Sequence, residues 1–151
     1  MDHEYAITID EYGYATHYFE GKAGSVTPSV ESLSNAHLSH NHPHDGWANF
    51  SGQDLDAFAA TKVRAMSAVS QNVLPGPGSS ERTKSNYANR RAGIYSIEKT
   101  QHFKVNEFRA ALRKIRVQDN KYDIDLHKWL VKNQKVYGYK YSYTKAKNKP
   151  V

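Results

Sequence analysis

Two imidazoles stand one residue apart in His40-Asn41-His42-Pro43, and a carboxylate follows at Asp54 within Ser51-Gly52-Gln53-Asp54. In a strand, side chains at i and i+2 point to the same face. His40 and His42 on a strand can therefore grip one metal ion from one side. Pro43 ends such a strand, because it fixes φ and donates no hydrogen bond. Asp54, on the first turn of a following helix, can supply a third ligand. Three protein ligands with a fourth position left to water is the arrangement of a catalytic zinc site rather than a structural one.

Other residues compete for these roles. The chain has eight His, and His37, His40, His42 and His44 crowd one stretch, so a His-rich surface turn without chemistry is the plain alternative. The Ser-x-x-Asp that follows favours a metal site, since it brings the missing carboxylate to a helix start. His37 should face away from His40 and His42. His44, after the proline, should face solvent or substrate, and Asp45 and Asp56 are rival carboxylates. The chain has no Cys, which excludes disulfides and thiolate sites and fits a reducing compartment. Any transition metal must use His, Asp or Glu.

The elements that would position these groups follow from pattern. Glu4 to Ile9 alternates as a strand, Asp10-Glu11-Tyr12-Gly13 is a turn, and Tyr14 to Phe19 reads as the returning strand. Ser25 to Val30 reads as a short extended piece, and Ala36 to His40 as the strand that delivers the two His. Ser51 is a good N-cap, with Asp54 three residues on as in a capping box. Leu55, Phe58, Ala59 and Val63 continue at helical period, giving a helix over 51–64. Ala65 to Val69 and Ala92 to Ile97 read as strands. Residues 71–91 contain Pro-Gly-Pro-Gly and should form a long mobile loop, either a lid or a plain connector. Val105, Phe108, Leu112 and Ile115 recur at helical spacing. A second late helix is expected from Tyr122 to Lys135, burying Trp129 and Leu130. Tyr137 to Tyr143 interleaves Tyr with Lys as a last strand. Its aromatic face can stack bases, or it can pack on helices with the lysines in water. Residues 145–151 read as a frayed tail.

His40-Asn41-His42-Pro43 with Ser51-Gly52-Gln53-Asp54 resembles the motif of the JAMM zinc metallopeptidases: His-x-His-Pro, a spacer, then Ser-x-x-Asp. Eight residues separate His42 from Ser51, where the family usually has seven, and a one-residue insertion in a loop is cheap. The family's other element is an upstream Glu on a strand. Glu4, which opens the first strand, fits it, and Glu20 is the alternative. The resemblance spans residues 4–58 and extends loosely to residues 92–97. The Asn between the two His resembles the bacterial and toxin-associated branches. The layout is also similar to C-terminal domains of some phage head-morphogenesis proteins and polymorphic toxins. The resemblance implies Zn2+ held by His40, His42 and Asp54, with Glu4 as proton carrier and Ser51 as donor to the oxyanion. The implied reaction is peptide or isopeptide hydrolysis. Ser51 can equally be a helix cap alone, and Glu4 a solvated strand-end carboxylate.

The composition frames these readings. A chain of 151 residues with 38% apolar and 24% charged side chains suits one mixed α/β domain over 1–151. Its central mixed sheet would be flanked by helices, the arrangement that the resemblance to JAMM and deaminase-like folds implies. No apolar run is long enough for a bilayer, and the N-terminus lacks the features of a signal peptide, so a cytoplasmic protein is expected; that the cell is bacterial or phage-infected is what the resemblance implies. The first strand begins almost at Met1, which reads as a domain cut from a larger protein. Residues 1–75 hold 3 basic and 9 acidic side chains, and residues 76–151 hold 18 and 6. The basic half, with its helical part over 102–151, is either a solvated lobe or a surface for an anionic partner such as nucleic acid. Three functions follow: a zinc peptidase acting on a protein or peptide, a non-catalytic interaction domain that keeps the fold, or a basic nucleic-acid-binding protein or metal nuclease.

Overall fold

A computed structural model describes residues 4–21, 33–42, 46–71, 77–78, 80–81, 84 and 88–147. The extended piece expected at 25–30, Pro43 and most of the 71–91 loop lie outside the described residues.

Alternation of apolar and polar residues builds a six-stranded sheet. Strand β1 (Tyr5–Ile9) turns back into β2 (Ala15–Glu20). The turn is closed by Asp10, whose Oδ1 accepts the backbone N–H groups of Tyr12 and Tyr14, both at 2.9 Å. Gly13 takes the positive φ of +89° that this turn needs. Strand β3 (His37–Asn41) leads through helix α1 (Gly52–Ala60) to β4 (Ala65–Val69) and β5 (Gly93–Lys99). Helix α2 (Val105–Leu112), a 3-10 turn (Asp119–Lys121), α3 (Tyr122–Lys132), α4 (Gln134–Tyr137) and β6 (Tyr139–Lys145) complete the chain. The strand order is β2-β1-β3-β4-β5-β6. Among the described strands only β3 and β4 run parallel, bridged by α1 as a parallel pair requires. The fold is thus mixed α/β.

One face of the sheet carries the core. Ala6 and Thr8 of β1 are Cα partners of His40 and Leu38 of β3. Leu38 and His40 pair with Met66 and Ala68 of β4, and these with Ile97 and Tyr95 of β5. This row packs with Leu55 and Phe58 of α1, Phe108 of α2, and Leu126 and Leu130 of α3 in one cluster. The described helices therefore cover a single face. The opposite face has a polar row in which Ser39, Ser67, Ser96 and Ser142 pair across four strands. There His37 Nε2 meets Ser67 Oγ at 2.7 Å, so His37 does face away from His40.

Several boundaries differ from the pattern. Helix α1 stops at Ala60, because Thr61 turns extended and its hydroxyl bonds the carbonyl of Ala57 at 2.7 Å. Ile115 lies beyond the end of α2 yet packs against the core. The late helix expected to reach Lys135 breaks at Asn133, whose side-chain amide takes the carbonyl of Trp129 at 2.9 Å. A further turn ends at Gly138, with φ of +78°; a Cβ there would come within 2.4 Å of the carbonyl oxygen of His102. Tyr137 therefore belongs to a helical turn, and β6 starts two residues later than expected. Trp129 is half-buried, stacked on Tyr137, while Leu130 is fully buried.

The tyrosines of β6 belong to the core side. Tyr139 and Tyr141 are buried, and Tyr143 packs against the same cluster. Their hydroxyls are engaged by the Leu130 carbonyl (2.7 Å), His127 Nδ1 (2.8 Å) and the Ala92 carbonyl (2.8 Å). This face is not available to stack bases, which corrects that alternative.

Candidate metal centre

The strand period places His40 on the core side of β3, 5% exposed, and His42 one residue past the strand end. Helix α1 then begins beside them. Ser51 is its N-cap, and the capping box is complete: Ser51 Oγ accepts the Asp54 N–H at 3.0 Å, and Asp54 Oδ2 accepts the Ser51 N–H at 2.9 Å. The box fixes the Asp54 carboxylate on the first turn, where the helix end also favours negative charge.

The three groups converge. His40 Nε2 and His42 Nε2 are 3.0 Å apart, and Asp54 Oδ2 lies 3.1 Å from the first and 3.0 Å from the second. His42 Nδ1 sits 3.1 Å from the carbonyl oxygen of Ala48. A carbonyl only accepts, so Nδ1 carries the hydrogen and, in the neutral ring, Nε2 presents a bare lone pair. That lone pair points at a carboxylate oxygen and a second ring nitrogen. Acceptors this close need a shared proton or a cation between them. Tetrahedral zinc with bonds of about 2.0–2.1 Å separates its ligand atoms by about 3.3–3.4 Å, so the observed triangle is within a few tenths of an ångström of that edge. Two imidazoles and one carboxylate suit zinc and other divalent first-row ions. His42 already makes the outer hydrogen bond usual for a ligand His. His40 Nδ1 is buried with no hydrogen-bond partner among the described residues.

The charges respond to one another. Burial pushes the Asp54 carboxyl up, but hydrogen bonds from His40 and His42 and their charges outweigh it and hold it far below the usual carboxylate range. Burial pulls His42 down, yet the bond to Asp54, the charges of Asp54 and Glu4 and the Ala48 carbonyl raise it overall.

Glu4 stands just before β1 and is half-buried. Continuing the Ala6–His40 register by two residues brings it opposite His42, on the face that carries His40. Burial raises its carboxyl, opposed by the charges of His42 and His40 and helped by that of Asp54, and the net shift is upward. Glu20 pairs with Tyr5, so its side chain belongs to the other face. Asp56 is held by Arg109 at 2.9 Å and takes no part in the triangle. His44 and Asp45 lie outside the described residues.

The sequence reading missed what holds the segment between His42 and Ser51. Arg90 Nε donates to the Gly46 carbonyl at 3.0 Å. Tyr122 stacks on Trp47 and donates its hydroxyl to the Phe50 carbonyl at 2.7 Å. Asp123, fully buried, accepts the N–H groups of Ala48, Asn49 and Arg91 at 3.1, 2.9 and 2.8 Å. No local signal marks these residues, because their partners lie up to 75 residues away.

Comparison of the chain with family models, curated proteins and solved structures found no match. The likeness to the JAMM metallopeptidases rests on the residues of the site themselves.

Proposed function

We propose that the chain is a zinc-dependent peptidase or isopeptidase of JAMM type. The observation that supports it most is the mutual approach of His40 Nε2, His42 Nε2 and Asp54 Oδ2 to 3.0–3.1 Å. These three would hold the ion. Zinc, when bound, acidifies a coordinated water toward a pKa of about 7 and polarises a carbonyl. Glu4, aligned with His42 by the strand register, takes the proton released as water adds to the amide carbon. It then delivers that proton to the amine nitrogen as the C–N bond breaks. The Ser51 hydroxyl oxygen already accepts the Asp54 N–H, and its own hydrogen can donate to the substrate oxygen as negative charge builds there.

The test separates ion from turnover. Zinc content is measured by mass spectrometry, and hydrolysis is followed on a library of peptides and isopeptides. Wild type should carry stoichiometric zinc. His42→Ala should carry none, and Glu4→Gln should keep zinc and lose about 10²–10⁴ in turnover, the share of a general base. Full zinc occupancy in His42→Ala would overturn the assignment, and wild type that takes up no zinc would favour a non-catalytic domain.

A second reading is favoured by the basic half. Arg116, Lys128 and Lys132 outnumber the one acid, Asp125, in the lining of a groove of about 500 Å3 beside Trp129. That supports an anionic partner, either an acidic substrate segment or nucleic acid. A steep fall of DNA or RNA affinity with salt would favour the nucleic-acid form. No described helix is long and apolar enough to cross a membrane.

A further inference from the structure

We infer that Asp123 is a positioning residue of the metal centre, acting on His42 through the peptide unit between Ala48 and Asn49. This rests on the reading of His40, His42 and Asp54 as an ion site. The carbonyl of that peptide accepts the Nδ1–H of His42 at 3.1 Å. The N–H of the same peptide donates to Asp123 Oδ1 at 2.9 Å. A carboxylate at one end of an amide polarises it and strengthens the acceptor at the other end. The stronger acceptor fixes the His42 tautomer and ring angle and makes Nε2 a better electron donor. Metal sites often set a carboxylate directly behind a ligand His. Here one peptide group is interposed.

The surroundings of Asp123 fit this role. It is fully buried, and Oδ2 accepts two further N–H groups, from Ala48 at 3.1 Å and Arg91 at 2.8 Å. The Asn49 side chain closes the loop, donating to the Asp123 carbonyl at 3.2 Å and accepting the Phe50 N–H at 2.7 Å. Among the described residues, every hydrogen bond to the two carboxylate oxygens comes from a backbone donor, so an amide cannot replace the acid. In one orientation Asn at this position would set its NH2 against the N–H groups of Ala48 and Arg91. In the other it would face the N–H of Asn49 and cut the relay.

The experiment compares wild type, Asp123→Asn and Leu130→Ala, all as the full chain and checked for folding by circular dichroism at low temperature. Leu130 is fully buried in the same helix and its side chain has no hydrogen-bonding group, so its variant controls for lost stability. The probes are Co2+ affinity by absorption and the His42 Nδ1–H proton resonance of the metal-free protein. Asp123→Asn should bind Co2+ about tenfold more weakly and shift that resonance upfield, while Leu130→Ala does neither. Wild-type affinity and an unmoved resonance in folded Asp123→Asn would overturn the inference. If wild type takes up no Co2+, the ion-site reading fails, and the resonance alone decides whether Asp123 positions His42. If Asp123→Asn does not fold, amide exchange in wild type decides. Strong protection at Ala48, Asn49 and Arg91, with a coupling across the hydrogen bond from the Asn49 nitrogen to the Asp123 carboxyl carbon, supports the relay. Exchange at unprotected rates sinks it.

Discussion

Asp54 Oδ2 serves two structures at once, the capping box of α1 and the ligand triangle, and substitutions can pull the two apart. Asp54→Asn keeps one amide oxygen, enough to accept the Ser51 N–H that Oδ2 now accepts at 2.9 Å. The lost charge should cost the metal-free fold about 1.5–3 kcal/mol, the worth of a hydrogen bond to a charged group, because His40 and His42 stabilise the ionised carboxyl. Ser51→Ala does the reverse: it removes the N-cap, at about 0.5–2 kcal/mol, and leaves all three ligand atoms in place. An ion at about one hundred times its Kd adds about 2.7 kcal/mol to the stability of the native state. For a chain of this size about 2–4 °C in Tm accompanies each kcal/mol, so zinc should raise the wild-type Tm by about 5–11 °C. The assay is thermal unfolding followed by circular dichroism, after chelator treatment, with and without Zn2+. Ser51→Ala should melt lower than wild type and still show the full zinc shift. Asp54→Asn should melt below metal-free wild type and show almost no zinc shift. A full zinc shift in Asp54→Asn, or its loss in Ser51→Ala, would refute the division of labour drawn from these contacts.

Two further outcomes follow from the fold. Phe108 is fully buried among Phe58, Phe103, Trp129, Tyr137 and Tyr139, with ring centroids 5.3–6.3 Å away. Phe108→Ala should cost about 3–5 kcal/mol, visible as a fall in the urea midpoint; a loss under 1 kcal/mol would mean the aromatic cluster is loose. Burial, with the charge of Arg64, lowers His37 against the opposing pull of Glu98, so the native state resists its protonation. The unfolded chain binds the extra proton first, and stability should fall as pH drops below about 6.5, the ordinary His value. Urea melts between pH 7 and 5 should show a shallower fall in His37→Gln, and an unchanged slope would show that His37 titrates alike in both states.

What was legible in the sequence was local. The Asp10 turn, the Ser51–Asp54 capping box and strand β4 over Ala65–Val69 depend on neighbours within a few residues, and side-chain type and period mark them. His40 and His42 share a face because a strand repeats every two residues, whatever surrounds it. The break at Asn133 and the turn at Gly138 were hidden, because helical propensity runs on through Lys135 and the stop comes from side-chain bonding and from the backbone near His102. Asp123 was hidden for another reason. An acid in the first turn of a helix reads as a favourable charge on a solvated end, and nothing nearby shows that three distant N–H groups close around it. That the described helices share one face of the sheet follows from packing, which alternation alone does not settle.

On the proposed reading the residues that would hold the ion lie within 40–54, whereas Glu4 would come from a separate strand, tied to that stretch by the β1–β3 register and by the bond from the Tyr5 N–H to the Asn41 side chain. A one-residue slip of β1 against β3 would turn Glu4 outward and leave that stretch whole. If the proposed function holds, changes confined to the first few residues would silence catalysis and leave ion binding intact. On that reading, holding an ion and cutting a bond would be separately heritable.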